Sequence, residues 1–402
     1  MTSQPASWAA MAARNPAPPE PITSTLLTSV RSGGRCATVP PRLVGPRVPR
    51  DLRGSAPEPG LDRSARSGVG AHPGVRCARL PGSRDEEPPM RVCLMIEGQE
   101  SVTWPQWLAL ARACEDAGLE GLFRSDHYQS VQGRTERSAL DAWTTLAALA
   151  QATTSLRLGT MVSPTSFRHP SVLAKNVVTA DHVSDGRVEL GMGAGWHELE
   201  HTTYGLPFHD LGTRYDVFEE QVEIVVRQMT EDRFDFDGDH YTLEGCEARP
   251  KPVQSPKVPL IIGGTAKPRS ARIAARWADE YNTVFPTPEA VRERKAAVDA
   301  ACEDAGRDPL VFSMMTGCLL GASEGEVLER AGRLMALSGQ EGDVGVWLDG
   351  LRDEWIVGTP EQAAERLAVY ADAGLDRVFL QHQLHDELDA VGLAGEVAAL
   401  VG

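Results

Sequence analysis

The sequence predicts a (β/α)8 barrel of the TIM type, carrying insertions and running from Met90 to the C-terminus. Three observations predict it. Eight short apolar runs of strand character begin near residues 91, 119, 156, 187, 258, 281, 311 and 377, and helical periodicity follows each of them. The eight units occupy about 310 residues, which suits such a barrel with insertions. Residues 156–196 also read as one βαβ unit of ordinary length, with small and hydroxylated residues gathered behind its strands. Those carboxyl ends are where parallel α/β folds bind ligands. A doubly wound open sheet is the alternative that uses the same alternation.

The elements follow in order from Met90. A strand at 91–96 leads to a helix at 103–117 that Gly118 closes, and a second strand at 119–123 runs into Arg124-Ser125-Asp126-His127-Tyr128. A helix at 141–152 precedes the βαβ unit, whose strands are 156–162 and 187–192 and whose helix, 170–183, carries Pro170 in its first turn. An amphipathic helix at 213–229 and a hairpin at 233–243, turning at Asp237-Gly238, come next. Strand and helix then alternate: 258–262, 268–277, 281–285, 288–305, 311–320, 324–336, a helix at 360–373, a strand at 377–381 and a helix at 388–400. The long insertions fall after the fourth and seventh strands.

Residues 1–89 differ sharply from this pattern. They hold 15 of the 28 prolines, 12 arginines, no lysine and 7 acids, and no apolar periodicity persists in them. Such a composition predicts a disordered extension, because it buries too little apolar surface to offset its ordering entropy. A start assigned upstream in error, with Met90 as the initiator, is the plainer reading; a basic interaction tail or a transit peptide is the functional one. Removing the segment is expected to leave melting temperature and ligand affinity unchanged. The remainder carries 28 basic and 49 acidic residues, a formal charge of −21, which argues against nucleic acid or an anionic membrane as partner. No stretch has the length of a membrane span. Seven scattered cysteines without a CxxC pair point to reduced thiols and a cytoplasmic location.

A barrel builds its active site from strand exits, so those positions are the candidates. Asp126-His127 is the acid–imidazole pair lying directly on such an exit, and a histidine there exchanges protons near neutral pH. A structural histidine bonded to a neighbouring loop is the competing reading. Gly191-Met-Gly193-Ala-Gly195 and Gly263-Gly264-Thr265 allow backbone N–H groups to approach an anion, although neither is the dinucleotide fingerprint. His169 reads as a helix-entry residue. His197 and His201 are four apart, but no third ligand accompanies them, so no metal is expected.

The stretches SDHY at 125–128, LGTMVSPTSFRHPSVLAK at 158–175, SDGRVELGMGAGWHELEHTTYGLPF at 184–208, RPKPVQ at 249–254, PLIIGGTAKPRSARIAARWADEYN at 259–282 and VGTP at 357–360 resemble the bacterial-luciferase-like superfamily, in its coenzyme F420-dependent branch. The resemblance covers Met90 to the C-terminus. It implies an F420-dependent oxidoreductase that moves hydride between the deazaflavin and a small organic substrate; an FMN-dependent monooxygenase using reduced flavin and O2 is the alternative. It implies that His127 stands at the protonating position beside the ring, with Asp126 supporting the imidazole or the ring. It places a bulge, often with a non-proline cis peptide, at Met161-Val162 behind the ring. Gly193, Gly195, Trp196, Gly263, Gly264 and Thr265 match positions near the cofactor. The branch that oxidises glucose 6-phosphate carries a Glu where this chain has Trp196, which argues against a sugar phosphate substrate. A homodimer is expected, both from the resemblance and from the surplus of apolar residues on 213–229.

Overall fold

The computed structural model describes residues 89–402. The expected disordered extension therefore lies outside the described residues, Pro89 apart. The first half of the barrel comprises β1 (Arg91–Ile96), α1 (Trp104–Asp116), β2 (Gly121–Arg124), α2 (Ala142–Ala150), β3 (Arg157–Thr160), a short β4 (Ser163–Pro164), α3 (Pro170–Ser184) and β5 (Val188–Gly193). The insertion after the fourth barrel strand holds α4 (Glu198–Tyr204), α5 (Leu211–Thr230), β6 (Phe234–Asp237) and β7 (Thr242–Cys246). The second half runs through β8 (Leu260–Gly263), α6 (Pro268–Trp277), β9 (Glu280–Val284), α7 (Pro288–Asp304) and β10 (Val311–Leu320). The insertion after the seventh barrel strand then brings α8 (Glu324–Leu337), α9 (Val344–Glu354), β11 (Ile356–Gly358) and α10 (Pro360–Ala371), before β12 (Arg377–Gln381) and α11 (Leu388–Val401).

Prolines open α3, α6, α7 and α10, where the missing N–H is one the first turn leaves unpaired in any case. Thr359 and Gln362 close a capping box on α10, so the VGTP motif is a strand exit followed by a helix start.

The eight principal strands pair in parallel in the order β1-β2-β3-β5-β8-β9-β10-β12, and β12 pairs back onto β1. A doubly wound sheet would leave two edges. Here the register Cys93↔Phe379 and Met315↔Val284 closes the ring. Alternation along β1 sorts its side chains: Val92, Leu94 and Ile96 join the layer under the helices, while Cys93 and Met95 point into the barrel with Phe123, Met161, Ile261, Met315 and Phe379. Each such burial contributes roughly 1.5–3 kcal/mol.

The amino end of the barrel is closed by charge. Arg377, 1% exposed, donates to Glu189 Oε2 at 2.8 Å and Glu280 Oε2 at 2.9 Å, with its guanidinium against the rings of Phe123 and Phe379. Burial drives both carboxyls upward, but Arg377 and Arg157 bring Glu189 below its usual range, while Glu280, facing Glu189, stays above it.

Three details differ from expectation. The hairpin does not turn on the two residues Asp237-Gly238: residues 238–241 form the loop, because Glu220 on α5 accepts from the backbone N–H groups of Asp239, His240 and Tyr241. The helix α9 was not anticipated, since Gly345 and Gly350 obscure its periodicity. Finally, Phe218, Val222, Ile224, Val225, Val226 and Met229 of α5 are all buried within the chain, where the helix packs on α3, α6 and the turn at Thr165–Phe167. The apolar surplus that motivated a subunit contact is covered by the chain itself.

All five described cysteines are free. No helix among the described residues is long and apolar enough to cross a membrane.

Candidate active site

The strand exits converge on the carboxyl end of the barrel, and His127 stands there just beyond β2. Its Nδ1 lies 2.7 Å from Glu200 Oε1, and the second oxygen of that carboxylate accepts from Tyr128 N–H at 3.1 Å. Glu200 is 1% exposed and the His127 side chain 14%. Burial disfavours a charged imidazole, but the hydrogen bond and charge of Glu200, helped by Glu97 and Asp126, outweigh it, so the His127 pKa is raised above its ordinary 6.5. Nδ1 engaged by a carboxylate leaves Nε2 as the exchanging nitrogen. The Trp196 ring, 49% exposed, stands edge-on to the imidazole with centroids 5.8 Å apart.

Asp126 does not hold the imidazole. Arg168 donates to both of its oxygens, at 2.6 and 3.2 Å, and Ser163 Oγ donates at 2.7 Å. Successive side chains on an extended exit point to opposite sides, so Asp126 is fully buried while His127 faces the mouth. Arg168 reaches on to Asp141 at 2.7 Å, and Tyr128 stacks on Phe167. Asp126 therefore fixes the loop on which His127 sits. Sequence reasoning missed Glu200 because it lies 73 residues away on α4, inside an insertion. The HELEH run at 197–201 marks a polar helix but says nothing of which acid turns inward.

The Met161-Val162 peptide is cis, as the resemblance implies. The Val162 side chain lies over the barrel mouth against three glycines: a Cβ on Gly191 or Gly193 would come within 2.9 or 2.8 Å of its methyls, and one on Gly263 within 3.4 Å. These glycines thus make room for Val162, and together they form a low apolar floor. Gly195 has φ +77°, and its carbonyl accepts from Arg214 Nη1 at 2.7 Å. Gly264 does not offer its N–H to a ligand, because that group donates to Asn282 O at 2.9 Å; Thr265 is exposed at the rim. Glu97, at the end of β1, accepts from Gln381 and Gln99 at 2.5 Å each, a polar wall opposite the apolar floor.

Other residues at or near the strand exits have structural partners. His382 is buried beside Arg330 and Leu334, and burial holds its pKa down to about 3. Phe285 joins the barrel interior. His169 caps α3 by accepting from Ser171 N–H. Both nitrogens of His201 are engaged, Nδ1 by the His197 carbonyl and Nε2 by Ser166 Oγ, so this pair does not present a metal site. Among the described residues no group of three His, Cys, Asp or Glu side chains could hold a metal ion.

This fold is that of an oxidoreductase family built on a closed barrel. The chain belongs to the luciferase-like monooxygenase family, whose model matches residues 90–377. It is 33% identical over 171 residues to an uncharacterized protein of Mycobacterium tuberculosis, an alignment covering 42% of this chain and 59% of that protein. The match thus spans about three-fifths of that relative's length. It is 28% identical over 302 residues to an F420-dependent glucose-6-phosphate dehydrogenase of Microbacterium testaceum, covering 70% of this chain and 88% of the relative. An F420-dependent secondary alcohol dehydrogenase in complex with an F420-acetone adduct superposes with TM-score 0.66 at 19% identity, covering 78% of this chain and 100% of that one. An FMN-bound oxygenating constituent of 3,6-diketocamphane monooxygenase of Pseudomonas putida superposes with TM-score 0.62 at 17% identity, covering 78% and 98%. At these identities the superpositions define the fold, and the neighbours include users of either cofactor.

Proposed function

We propose that this chain is an F420-dependent oxidoreductase in which hydride passes between the cofactor and a small organic substrate while His127 exchanges the accompanying proton. The observation that carries this reading is the His127–Glu200 pair at the barrel mouth: a buried carboxylate on Nδ1, a raised pKa and Nε2 directed away from its anchor. The residues present fit a planar ring. Val162 with Gly193 and Gly263 forms an apolar surface, Glu97 and Gln381 supply polar groups on one side, and Trp196 supplies an aromatic wall on another. Likeness to an F420-dependent sugar-phosphate dehydrogenase over most of its length supports this choice of cofactor.

When bound, the deazaflavin supplies the hydride chemistry. His127, whose imidazolium Glu200 stabilises, donates a proton from Nε2 to the substrate atom that becomes electron-rich; in the oxidative direction it accepts that proton. Glu200 fixes the ring orientation and the tautomer. Asp126, Arg168 and Ser163 hold the loop, and Trp196 stands edge-on to one side of the imidazole. The activity needs no nucleic acid or membrane, and a homodimer remains our expectation for the assembly.

The test is a pair of titrations followed by fluorescence quenching, one with F420 and one with FMN. Saturable F420 binding at least tenfold tighter than FMN binding is the expected result. FMN binding alone, with oxygen consumption on reduction, would replace this reading with that of a flavin monooxygenase.

A further inference from the structure

A cavity of about 320 Å³ opens beside the strand exits, its wall including Arg168, His169, His209, Arg214, His240 and Tyr241. The wall holds two arginines, three histidines and no carboxylate, in a chain whose formal charge is −16. Its cations are not equivalent. Arg168 is neutralised by Asp126 and Asp141. Arg214 meets no carboxylate within ion-pair distance among the described residues: Nη1 donates to the Gly195 carbonyl, the guanidinium lies 4.2 Å from the Phe208 ring centroid, and the buried Nε has no partner.

The acids closest in sequence are engaged elsewhere. Asp216 and Glu219 pair with Arg269, Asp210 accepts from the first N–H groups of α5, and Glu220 accepts from residues 239–241. Tyr241 Oη accepts from Gln221 Nε2 at 3.0 Å, which leaves the phenolic proton to donate. A buried N–H without an acceptor costs stability, and an unpaired guanidinium at a concave wall gains most from a charged acceptor.

We propose that this cavity binds an oxyanion, a phosphate or carboxylate group, with Arg214 as its principal donor and Tyr241, His209 and His240 around it. The volume suits a small anionic group together with part of the molecule carrying it. Two molecules could bring that group: the cofactor, through its phosphate or acidic tail, or an acidic substrate. The site stands on its own residues and does not depend on which cofactor the mouth accepts.

Calorimetric titration of inorganic phosphate into the cofactor-free full chain tests it, with Arg214→Gln and the double variant His209→Ala/His240→Ala. Among the described residues the exposed His209 and His240 make no side-chain hydrogen bond, so the double variant guards against misfolding of the Arg214 variant; circular dichroism checks both. Wild type binds phosphate, Arg214→Gln binds it at least about tenfold more weakly, and the double variant severalfold more weakly. No heat of binding in wild type, or equal affinity in all three proteins, overturns the proposal. A second arm assigns the source. If the cofactor brings the anion, Arg214→Gln weakens FMN or F420 binding but not riboflavin binding, and cofactor-loaded protein no longer takes up phosphate. If the substrate brings it, phosphate still binds the loaded protein. Because the first arm contains no cofactor, its failure is separate from any failure of the F420 reading.

Discussion

Replacing Glu200 by Gln removes one charge from the mouth while keeping the shape of the side chain. In wild type the Glu200 carboxylate, 1% exposed, lies 2.7 Å from His127 Nδ1 and also accepts from Tyr128 N–H. The amide keeps an oxygen for Tyr128 but offers neither charge nor a strong acceptor to the imidazole. A hydrogen bond to a charged group is worth about 1.5–3 kcal/mol, so the proton affinity of His127 should fall on the order of ten- to a hundredfold. Since Glu200 is what raises the imidazole above its ordinary 6.5 against the opposing effect of burial, the midpoint in the variant moves to lower pH. The sign extends to stability. A raised imidazole pKa stabilises the wild-type fold below about 6.5 and that contribution is lost as pH rises through the folded midpoint; the variant loses this contribution. The assay is the His127 Cε1–H proton shift followed by NMR across pH, beside turnover against pH. An unmoved midpoint in Glu200→Gln would refute the claim that this carboxylate tunes His127.

Arg377→Met should destabilise the barrel by about 3–5 kcal/mol, because Glu189 and Glu280 would face each other in the interior without their shared cation. Chemical denaturation should show that penalty shrinking as the pH falls through the carboxylate range, since a protonated carboxyl no longer needs the guanidinium. Gly193→Ala places a methyl 2.8 Å from Val162 Cγ2, and the stiff valine cannot yield without leaving its rotamer. An overpacking cost of about 1–3 kcal/mol in thermal melts, with weaker cofactor binding, is the expected result. Wild-type affinity in that variant would mean the valine floor does not support the ring.

Much of the barrel was legible because parallel strands buried on both faces read as short apolar runs, and because prolines mark helix starts. Residues 268–277 and 311–320 were bounded as found, and the strand at 377–381 likewise. The misses share a cause: their structure is set by partners distant in sequence. The hairpin loop is shaped by Glu220, some 20 residues away, and α9 carries two glycines that only tertiary packing overrides. At the site, His127 and the Met161-Val162 bulge were visible as strand exits and through resemblance. The carboxylate behind the histidine was not, because Asp126 is adjacent in sequence yet turned into Arg168, while Glu200 arrives from an insertion. Proximity in sequence favoured the wrong acid. The glycines, expected to serve a ligand's backbone contacts, are occupied in part by Val162 and Asn282.

The central claim is that His127 moves a proton and does not merely hold the cofactor. The most direct measurement compares turnover and cofactor dissociation constant in wild type and His127→Ala, with folding checked by circular dichroism. Acid–base assistance is worth on the order of 100- to 10,000-fold in rate, whereas one lost contact with the ring costs only about 1 kcal/mol of affinity. The account predicts a turnover loss in that range with affinity changed by less than about tenfold. Turnover near the wild-type value, or affinity lost in step with turnover, would contradict it.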